Sequence, residues 1–342
     1  MYQIFYEDII IGSLAVEELS YYDAILTQQI NTADSFVFTL SAQNPYLNSI
    51  YIRNGLIKLI YNGETLFVGD IVNITANFDN SITVDCQGCL AWLKDVAIVH
   101  YAKTSSAKEY LEDLLVHYNA AAPFRAINYG LSDMLTNVSH DHSESIRSIS
   151  YLLNEVVEEC GGYLLPRYNS KGIYLDYLLT TAESTQRIEF GRNLMDLTRE
   201  LDGGEIVTRI YPYGHDSLVM PSPYYVRDAE LEGLYGIIAE AKQYDVGTDG
   251  ELQAAAQADL DNRRAVIDSI TLKAFDQSLI DNNVEPLKLG DIAQVISRPH
   301  NIDLQMMVIA KETYLNNPKA SSITLGKKTT AITEKIRQLD KK

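Results

Sequence analysis

The strongest constraint on the fold is a set of strand-like runs in residues 36–86, most of them separated only by tight turns. Asn62-Gly63 separates two of the runs, and this pair favours a type I′ hairpin turn, which needs positive φ at both positions. Such turns leave no room for crossover helices, so the region is predicted to be an antiparallel meander. The runs are Phe36–Leu40, Leu56–Tyr61, Thr65–Phe78 and Ser81–Cys86.

Two amphipathic helices are predicted after this meander. Ser106 and Glu109 form a capping box for the first helix, and Gly161-Gly162 ends the second. Two short runs around Asn169–Gly172 then predict a hairpin. Residues 96–185 are therefore expected to form a small helix-plus-hairpin α/β domain. The apolar stripes are Ala107, Tyr110, Leu111, Leu114, Leu115 and Tyr118, then Ile146, Ile149, Leu152, Leu153, Val156, Val157 and Cys160.

A weak internal repeat indicates that the β-structure is built twice. LFVGDIV at Leu66–Val72 and LKLGDIA at Leu287–Ala293 share an apolar strand with a Gly-Asp pair. A glycine in a strand is typical of a bulge or corner, as a small barrel requires. We predict a β-rich α+β fold with two small antiparallel β-barrels and α/β insertions. The expected domains are a first barrel (1–95), the α/β domain (96–185), a second barrel (186–220 and 266–328), a helical insertion (221–265) and a C-terminal helix (329–342).

The charge balance excludes some classes of partner. The chain has 28 Lys and Arg against 46 Asp and Glu, a net charge of −18. A surface that grips nucleic acid or an anionic membrane needs a basic field, so both are disfavoured. No run approaches the roughly 18–20 apolar residues of a membrane span, and the N-terminus has no basic region typical of a secretory signal.

The cysteines offer one candidate site, Cys86-Gln-Gly-Cys89. A zinc site needs a second Cys or His pair at suitable spacing, and a redox pair needs a βαβ context. The sequence provides neither, so two semi-buried thiols at a strand end are expected. Cys160 falls on the apolar stripe of its helix and is expected to lie in the core.

The second candidate is His140-Asp-His142. Zinc endopeptidases of the lysostaphin type carry an H-x-H, but they also require an upstream His followed a few residues later by Asp. Neither His100 nor His117 is followed by such an Asp. An incomplete ligand set does not hold zinc, so a polar loop that caps the next helix is expected here. The pair Glu158-Glu159 is expected on a solvated helix face.

Other catalytic patterns fail or are missing from the sequence. Asp245–Glu251 resembles a calcium loop, but Gly247 and Ala256 stand where oxygen ligands are needed, so a turn followed by a helix cap is expected. There is no G-x-S-x-G, H-E-x-x-H, P-loop or G-x-G-x-x-G. The sequence therefore predicts no catalytic, cofactor-binding or metal-binding residue, no cofactor, and a protein that is not an enzyme.

An ordered set of segments resembles a family of siphophage and prophage tail proteins, known as prophage endopeptidase tail or tail-associated lysin N-terminal region. The segments are Phe190–Gly214, Tyr235–Gly247, Leu289–Ile296 and Thr313–Lys328. The resemblance implies a fold similar to the baseplate hub of contractile-tailed phages, assembled as a homotrimer at the distal end of the tail. Many relatives carry a peptidoglycan hydrolase or a fibre after this region, but no hydrolase motif is found here.

The leading hypothesis is a structural hub ring of the virion tail tip or baseplate, assembled in the bacterial host cytoplasm. It would link the tail tube to the host-recognition apparatus, contact the distal tail, tape measure and receptor-binding or fibre proteins, and surround a channel through which DNA passes without specific binding. No membrane insertion is expected. The 23 Tyr residues against 8 Phe favour burial against partners.

Two alternatives remain open. One is a tail-associated peptidoglycan endopeptidase, for which His140, His142 and nearby acids are the only cluster that could serve. The other is a receptor- or glycan-binding tail module, although Trp92, the one tryptophan, is expected in a core.

The negative charge is unevenly distributed along the chain. Residues 1–52 hold no Lys or Arg but six acids, Glu7, Asp8, Glu17, Glu18, Asp23 and Asp34. In a ring these acids would repel DNA phosphates from the lumen.

Overall fold

The computed structural model describes residues 1–179, 182–201, 206–214, 218–281 and 283–326. The expected C-terminal helix at 329–342 lies outside these residues. The helices are α1 (Ala107–Ala121), α2 (Ile149–Cys160), α3 (Ala229–Tyr235) and α4 (Asp249–Ile267). The strands are β1 (Tyr2–Tyr6), β2 (Ile9–Ser13), β3 (Tyr21–Gln29), β4 (Ser35–Leu40), β5 (Leu56–Tyr61), β6 (Glu64–Ala76), β7 (Ile82–Gly88), β8 (Ala97–Ser106), β9 (Ile127–Ser132), β10 (Asn137–Ser148), β11 (Tyr163–Asn169), β12 (Gly172–Leu178), β13 (Glu183–Glu189), β14 (Leu194–Leu201), β15 (Arg209–Tyr213), β16 (Val226–Arg227), β17 (Ala239–Gln243), β18 (Asp268–Ala274), β19 (Ile292–Ser297), β20 (Ile302–Tyr314) and β21 (Ser322–Gly326).

Two compact units divide the chain, and the first comprises residues 1–195 and 273–325. Its large sheet has the order β21-β20-β3-β4-β7-β6-β5-β1-β2, and β19 pairs with β20 on one side and with β13 on the other. The antiparallel pairing of β3 with β20 joins strands from the two ends of the chain. The predicted β-rich α+β class is therefore confirmed, and both predicted β regions contribute to one sheet.

The predicted hairpin at Asn62-Gly63 is confirmed, because both residues have positive φ, 49° and 86°. It connects β5 to β6, and β6 continues into the meander by pairing with β7. The predicted order is wrong at β4, which pairs with β7 and not with β5. The 15 residues between β4 and β5 allow this rearrangement.

The Gly-Asp pairs of the internal repeat occupy different positions. Gly69 lies within β6, where an added Cβ would stand 2.1 Å from the Gln87 carbonyl oxygen, and the register of β6 against β7 shifts just beyond it, after Ile71. Gly290 instead lies in the turn before β19, with φ of 89°. The predicted corner is thus present at the first pair, and the second pair serves a tight turn.

Residues 97–178 place two helices beside two small sheets, one of β8 and β10 and one of β11, β12 and β9. The predicted capping box is present, since Ser106 accepts a hydrogen bond from the Glu109 amide and Glu109 accepts one from the Ser106 amide. The prediction of a polar loop around His140 is wrong, because these residues form β10, which pairs with β8 at residues 137–142 and again at 146–148. The predicted cap of the next helix is correct: Ser148 accepts a hydrogen bond from the Tyr151 amide.

Among the residues that the structure describes, the second unit lies within residues 196–272, and it has its own small core. Its sheet has the order β16-β15-β17, and α4 packs on β15. Thr248 accepts a hydrogen bond from the Glu251 amide at the start of α4, as predicted. The core residues are Val207, Ile210, Met220, Val226, Leu252, Ala256 and Leu260. No helix in the described ranges combines the length and apolarity that a bilayer crossing requires.

Candidate functional site

The most chemically distinctive site in the first unit lies between β10 and α2. His140 and His142 are two residues apart on β10, and alternate residues of a strand share a face, so both imidazoles point to the same side. Glu155 and Glu159 are four residues apart on α2 and therefore share a helix face. Two residues of strand span about 6.6 Å and four residues of helix about 6 Å, so the two pairs match in spacing.

The four side chains make two short nitrogen–oxygen contacts and one longer one. Nε2 of His142 lies 2.6 Å from Oε2 of Glu155, and Nε2 of His140 lies 3.0 Å from Oε2 of Glu159. The Glu155 oxygen also lies 3.9 Å from Nδ1 of His140. Oε2 of Glu155 is thus within reach of both imidazoles, whose rings stack with centroids 6.3 Å apart. We call these four residues the His–Glu cluster.

The His–Glu cluster is largely shielded from solvent. The two histidine side chains are 15% and 14% exposed, and that of Glu155 is 26% exposed. The Tyr110 ring packs edge-on against His140, and burial together with the nearby Glu155 raises the pKa of Tyr110. Nε2 of His140 and the Tyr110 hydroxyl are both buried without a hydrogen-bond partner, although Nε2 of His140 lies 3.0 Å from Oε2 of Glu159. The cluster therefore contains two buried polar groups that make no hydrogen bond.

Three of these side chains form a donor set that suits a transition-metal ion. Ligand atoms of His140, His142 and Glu155 lie within 4.8 Å of one another, and within the described residues no other group of three or more His, Cys, Asp or Glu side chains converges in this way. Imidazole nitrogens and a carboxylate oxygen are ordinary zinc ligands. The same atoms also serve as His–Glu ion pairs when the imidazoles are protonated.

Sequence reasoning selected both histidines but missed the glutamates that complete the cluster. Glu159, expected on a solvated face, is half exposed and faces His140. The available signal was the spacing of Glu155 and Glu159, one helical turn apart on a helix that directly follows the H-x-H strand. The other histidines considered are elsewhere: Nδ1 of His100 contacts the Ser143 carbonyl oxygen, and His117 lies beside Asp113 on α1.

The cysteine motif contains no such convergence. Cys86 and Cys89 are 2% and 1% exposed, and burial raises the pKa of both thiols, that of Cys89 to about 12. Sγ of Cys89 lies 3.9 Å from the Tyr168 hydroxyl. Cys160 is partly buried, and burial raises its pKa to about 11. These thiols have the character of core side chains and not of nucleophiles or ligands.

Comparison with known proteins supports the resemblance to phage tail proteins. Residues 182–336 match the family model described as Prophage endopeptidase tail. No curated protein sequence matches the chain significantly.

Solved structures are similar over nearly the whole chain. The 43 kDa tail protein of prophage MuSo2 from Shewanella oneidensis has a TM-score of 0.67 at 10% identity, covering 96% of this chain and 98% of that one. The prophage tail protein gp18 from Listeria monocytogenes has a TM-score of 0.62 at 15% identity, covering 99% and 98%. The Escherichia coli c3393 protein, a component of the type VI secretion system with structural similarity to the T4 tail proteins gp27 and gp5, has a TM-score of 0.51 at 9% identity, covering 89% and 72%. The fold is therefore that of phage tail proteins and is similar to hub-like proteins.

Proposed function

We propose that this protein, which shares the fold of phage tail proteins along its length, forms a hub ring at the distal end of a siphophage or prophage tail. The observation that carries the proposal is the structural similarity to the Listeria tail protein, which extends over 99% of this chain and 98% of that one. Function would then lie in assembly. The ring would be a homotrimer that joins the tail tube to the host-recognition apparatus.

Within this ring we assign the two regions predicted as β-barrels, residues 1–95 and 186–220 with 266–328, to the contacts around the channel. The remaining regions, 96–185 and 221–265, would face neighbouring tail proteins. Exposed tyrosines support burial against partners, because tyrosine is enriched at interfaces. Tyr224 and Tyr235, both within residues 221–265, are 56% and 50% exposed.

The acidic residues of the N-terminal region support the proposal that the ring surrounds a channel for DNA. Five of its six acids, Glu7, Asp8, Glu17, Glu18 and Asp23, are exposed, and only Asp34 is buried. Acidic groups facing a lumen would repel phosphates and keep the DNA mobile. We therefore propose that exposed N-terminal acids line the channel.

Light scattering of the purified chain over a range of concentrations tests the hub proposal. We expect a trimer or a monomer–trimer equilibrium, and binding to the distal tail protein encoded by the same genome. A chain that stays monomeric at every concentration and binds no neighbouring tail protein would contradict the hub.

The His–Glu cluster favours one alternative, a peptidoglycan endopeptidase that acts during entry. Zymography on Gram-positive cell walls, with and without chelator, separates the two functions. We expect no clearing for a structural hub. Clearing that is lost both with chelator and in His142→Ala would establish the peptidase. The glycan-binding alternative has less support, because Trp92 is fully buried and donates a hydrogen bond to Asp70.

A further inference from the structure

We propose that the His–Glu cluster is a binding site for a divalent transition-metal ion of the zinc class. The inference starts from the two unused polar atoms, since a buried donor or acceptor without a partner costs free energy. Nε2 of His140 and the hydroxyl of Tyr110 are both in this state, and their rings pack edge-on with centroids 5.5 Å apart. Water bound to an ion would supply a partner for the Tyr110 hydroxyl, and a small rotation of the His140 ring on binding the ion would direct its Nε2–H at Glu159.

The geometry assigns a role to each side chain. Oε2 of Glu155 lies between Nε2 of His142 and Nδ1 of His140, at 2.6 and 3.9 Å, so these three atoms face a common point. Ligands about 2.0–2.1 Å from a tetrahedral zinc ion are about 3.3 Å apart, a spacing that small side-chain adjustments would produce here. His140 would bind through Nδ1, His142 through Nε2 and Glu155 through one carboxylate oxygen.

Glu159 acts as a positioning residue in this arrangement. When Nδ1 of His140 binds the ion, Nε2 carries the proton and faces Oε2 of Glu159, 3.0 Å away. A carboxylate that accepts the second N–H of a ligating histidine fixes its tautomer and strengthens it as a ligand. The fourth coordination position would hold water close to the Tyr110 hydroxyl.

The surrounding charges favour a cation. Lys103 lies opposite His140 on β8, but its ammonium is paired with Asp113 at 2.9 Å. Arg147 lies with its guanidinium 4.9 Å from the Tyr151 ring centroid. With both histidines neutral, Glu155 and Glu159 leave the cluster with a charge of −2. The mixed nitrogen and oxygen ligands select zinc, nickel or cobalt over calcium and magnesium, which prefer oxygen ligands.

The ion would connect β10 to α2. Such a link would hold together the two elements on either side of Ser148, the residue that caps α2. The role is independent of the hub proposal and requires no peptidase activity.

Isothermal titration of the full chain with Zn²⁺ alone tests the proposal. We expect one ion per chain, no binding of Ca²⁺ or Mg²⁺, and a Co²⁺ complex with the absorption of a four-coordinate site. Glu159→Gln should lower Zn²⁺ affinity roughly 10–100-fold, and Glu155→Gln or His142→Ala should lower it further. His117→Ala, which alters an exposed histidine beside a different acid, is the matched control and should bind like the wild type.

Circular dichroism of each variant without metal separates loss of the site from loss of the fold. Glu155→Gln keeps the side-chain shape, so it decides the result if His142→Ala does not fold. If folded Glu155→Gln binds Zn²⁺ with the same affinity as the wild type, the proposal is overturned. The cluster would then consist only of His–Glu ion pairs. Cell-wall clearing is measured separately, so failure of the metal site and failure of the hub are distinguishable.

Discussion

The Cys86–Cys89 motif and the His140–His142 motif are equally incomplete in sequence but differ in what the fold brings to them. The thiols point into hydrophobic cores, Cys86 into that of the large sheet and Cys89 into that shared with α1 and α2, and the nearby Asp70 is paired with arginine and tryptophan side chains. The imidazoles point from β10 to a helix face that carries two carboxylates. A short motif thus acquires its chemistry from the element packed against it, and not from its own spacing.

The largest expected change in stability is that of Asp70→Ala. This variant tests whether the region around the cysteines has a purely structural role. Asp70 is fully buried and lies 3.2 Å from both Arg53 and Arg125. Asp70→Ala should destabilise the first unit by about 3–5 kcal/mol, because it leaves the Trp92 indole N–H and two guanidinium groups without their common acceptor. Urea unfolding measures this free energy.

Asp95→Ala is the matched control for Asp70. Asp95 contacts the same Arg53 at 3.0 Å, but its side chain is 46% exposed. Its loss should cost at most about 1 kcal/mol. Equal destabilisation by the two variants would contradict the claim that the buried Asp70 organises this region.

A second buried acid should give the region a distinct pH dependence. Burial raises the pKa of Asp34 to about 7, and only one of its oxygens has a partner, Gln28. The folded state then holds the proton more tightly than the unfolded state, so stability falls as pH rises from about 4 to above 7. Asp34→Asn should therefore stabilise the protein by up to roughly 4 kcal/mol at pH 8 and by little at pH 4.

Thermal unfolding of Asp34→Asn across this pH range measures the difference. Glu18→Gln, which changes an exposed acid of the same N-terminal region, should show no such trend. If Asp34→Asn shifted the unfolding temperature equally at both pH values, Asp34 would not be buried as a titrating acid.

The smallest expected effect concerns the thiols themselves. Cys86 and Cys89 should resist a thiol reagent in the native protein, and the half-buried Cys160 should react slowly. All three should react after unfolding in guanidinium. Cys89→Ala should leave Zn²⁺ binding unchanged, and a loss of binding would remove the contrast between the two motifs.

Local patterns predicted most of the elements. The capping box at Ser106 and the Asn62-Gly63 turn are correct, because neighbouring residues determine both structures. The pairing of β3 with β20 was not predictable, since it joins residues almost 300 positions apart. The same limit applied to the His–Glu cluster: the histidines were visible as a motif, but their contact with Glu155 and Glu159 depends on how α2 packs on β10.

Electron cryo-microscopy of tails assembled by the genome that encodes this chain tests the hub most directly. We expect three copies around a channel at the distal end of the tail, with exposed N-terminal acids such as Glu17, Glu18 and Asp23 on the lumen surface. A tail tip that lacks the chain, or a ring whose lumen is basic or uncharged, would contradict the hub and its acidic channel.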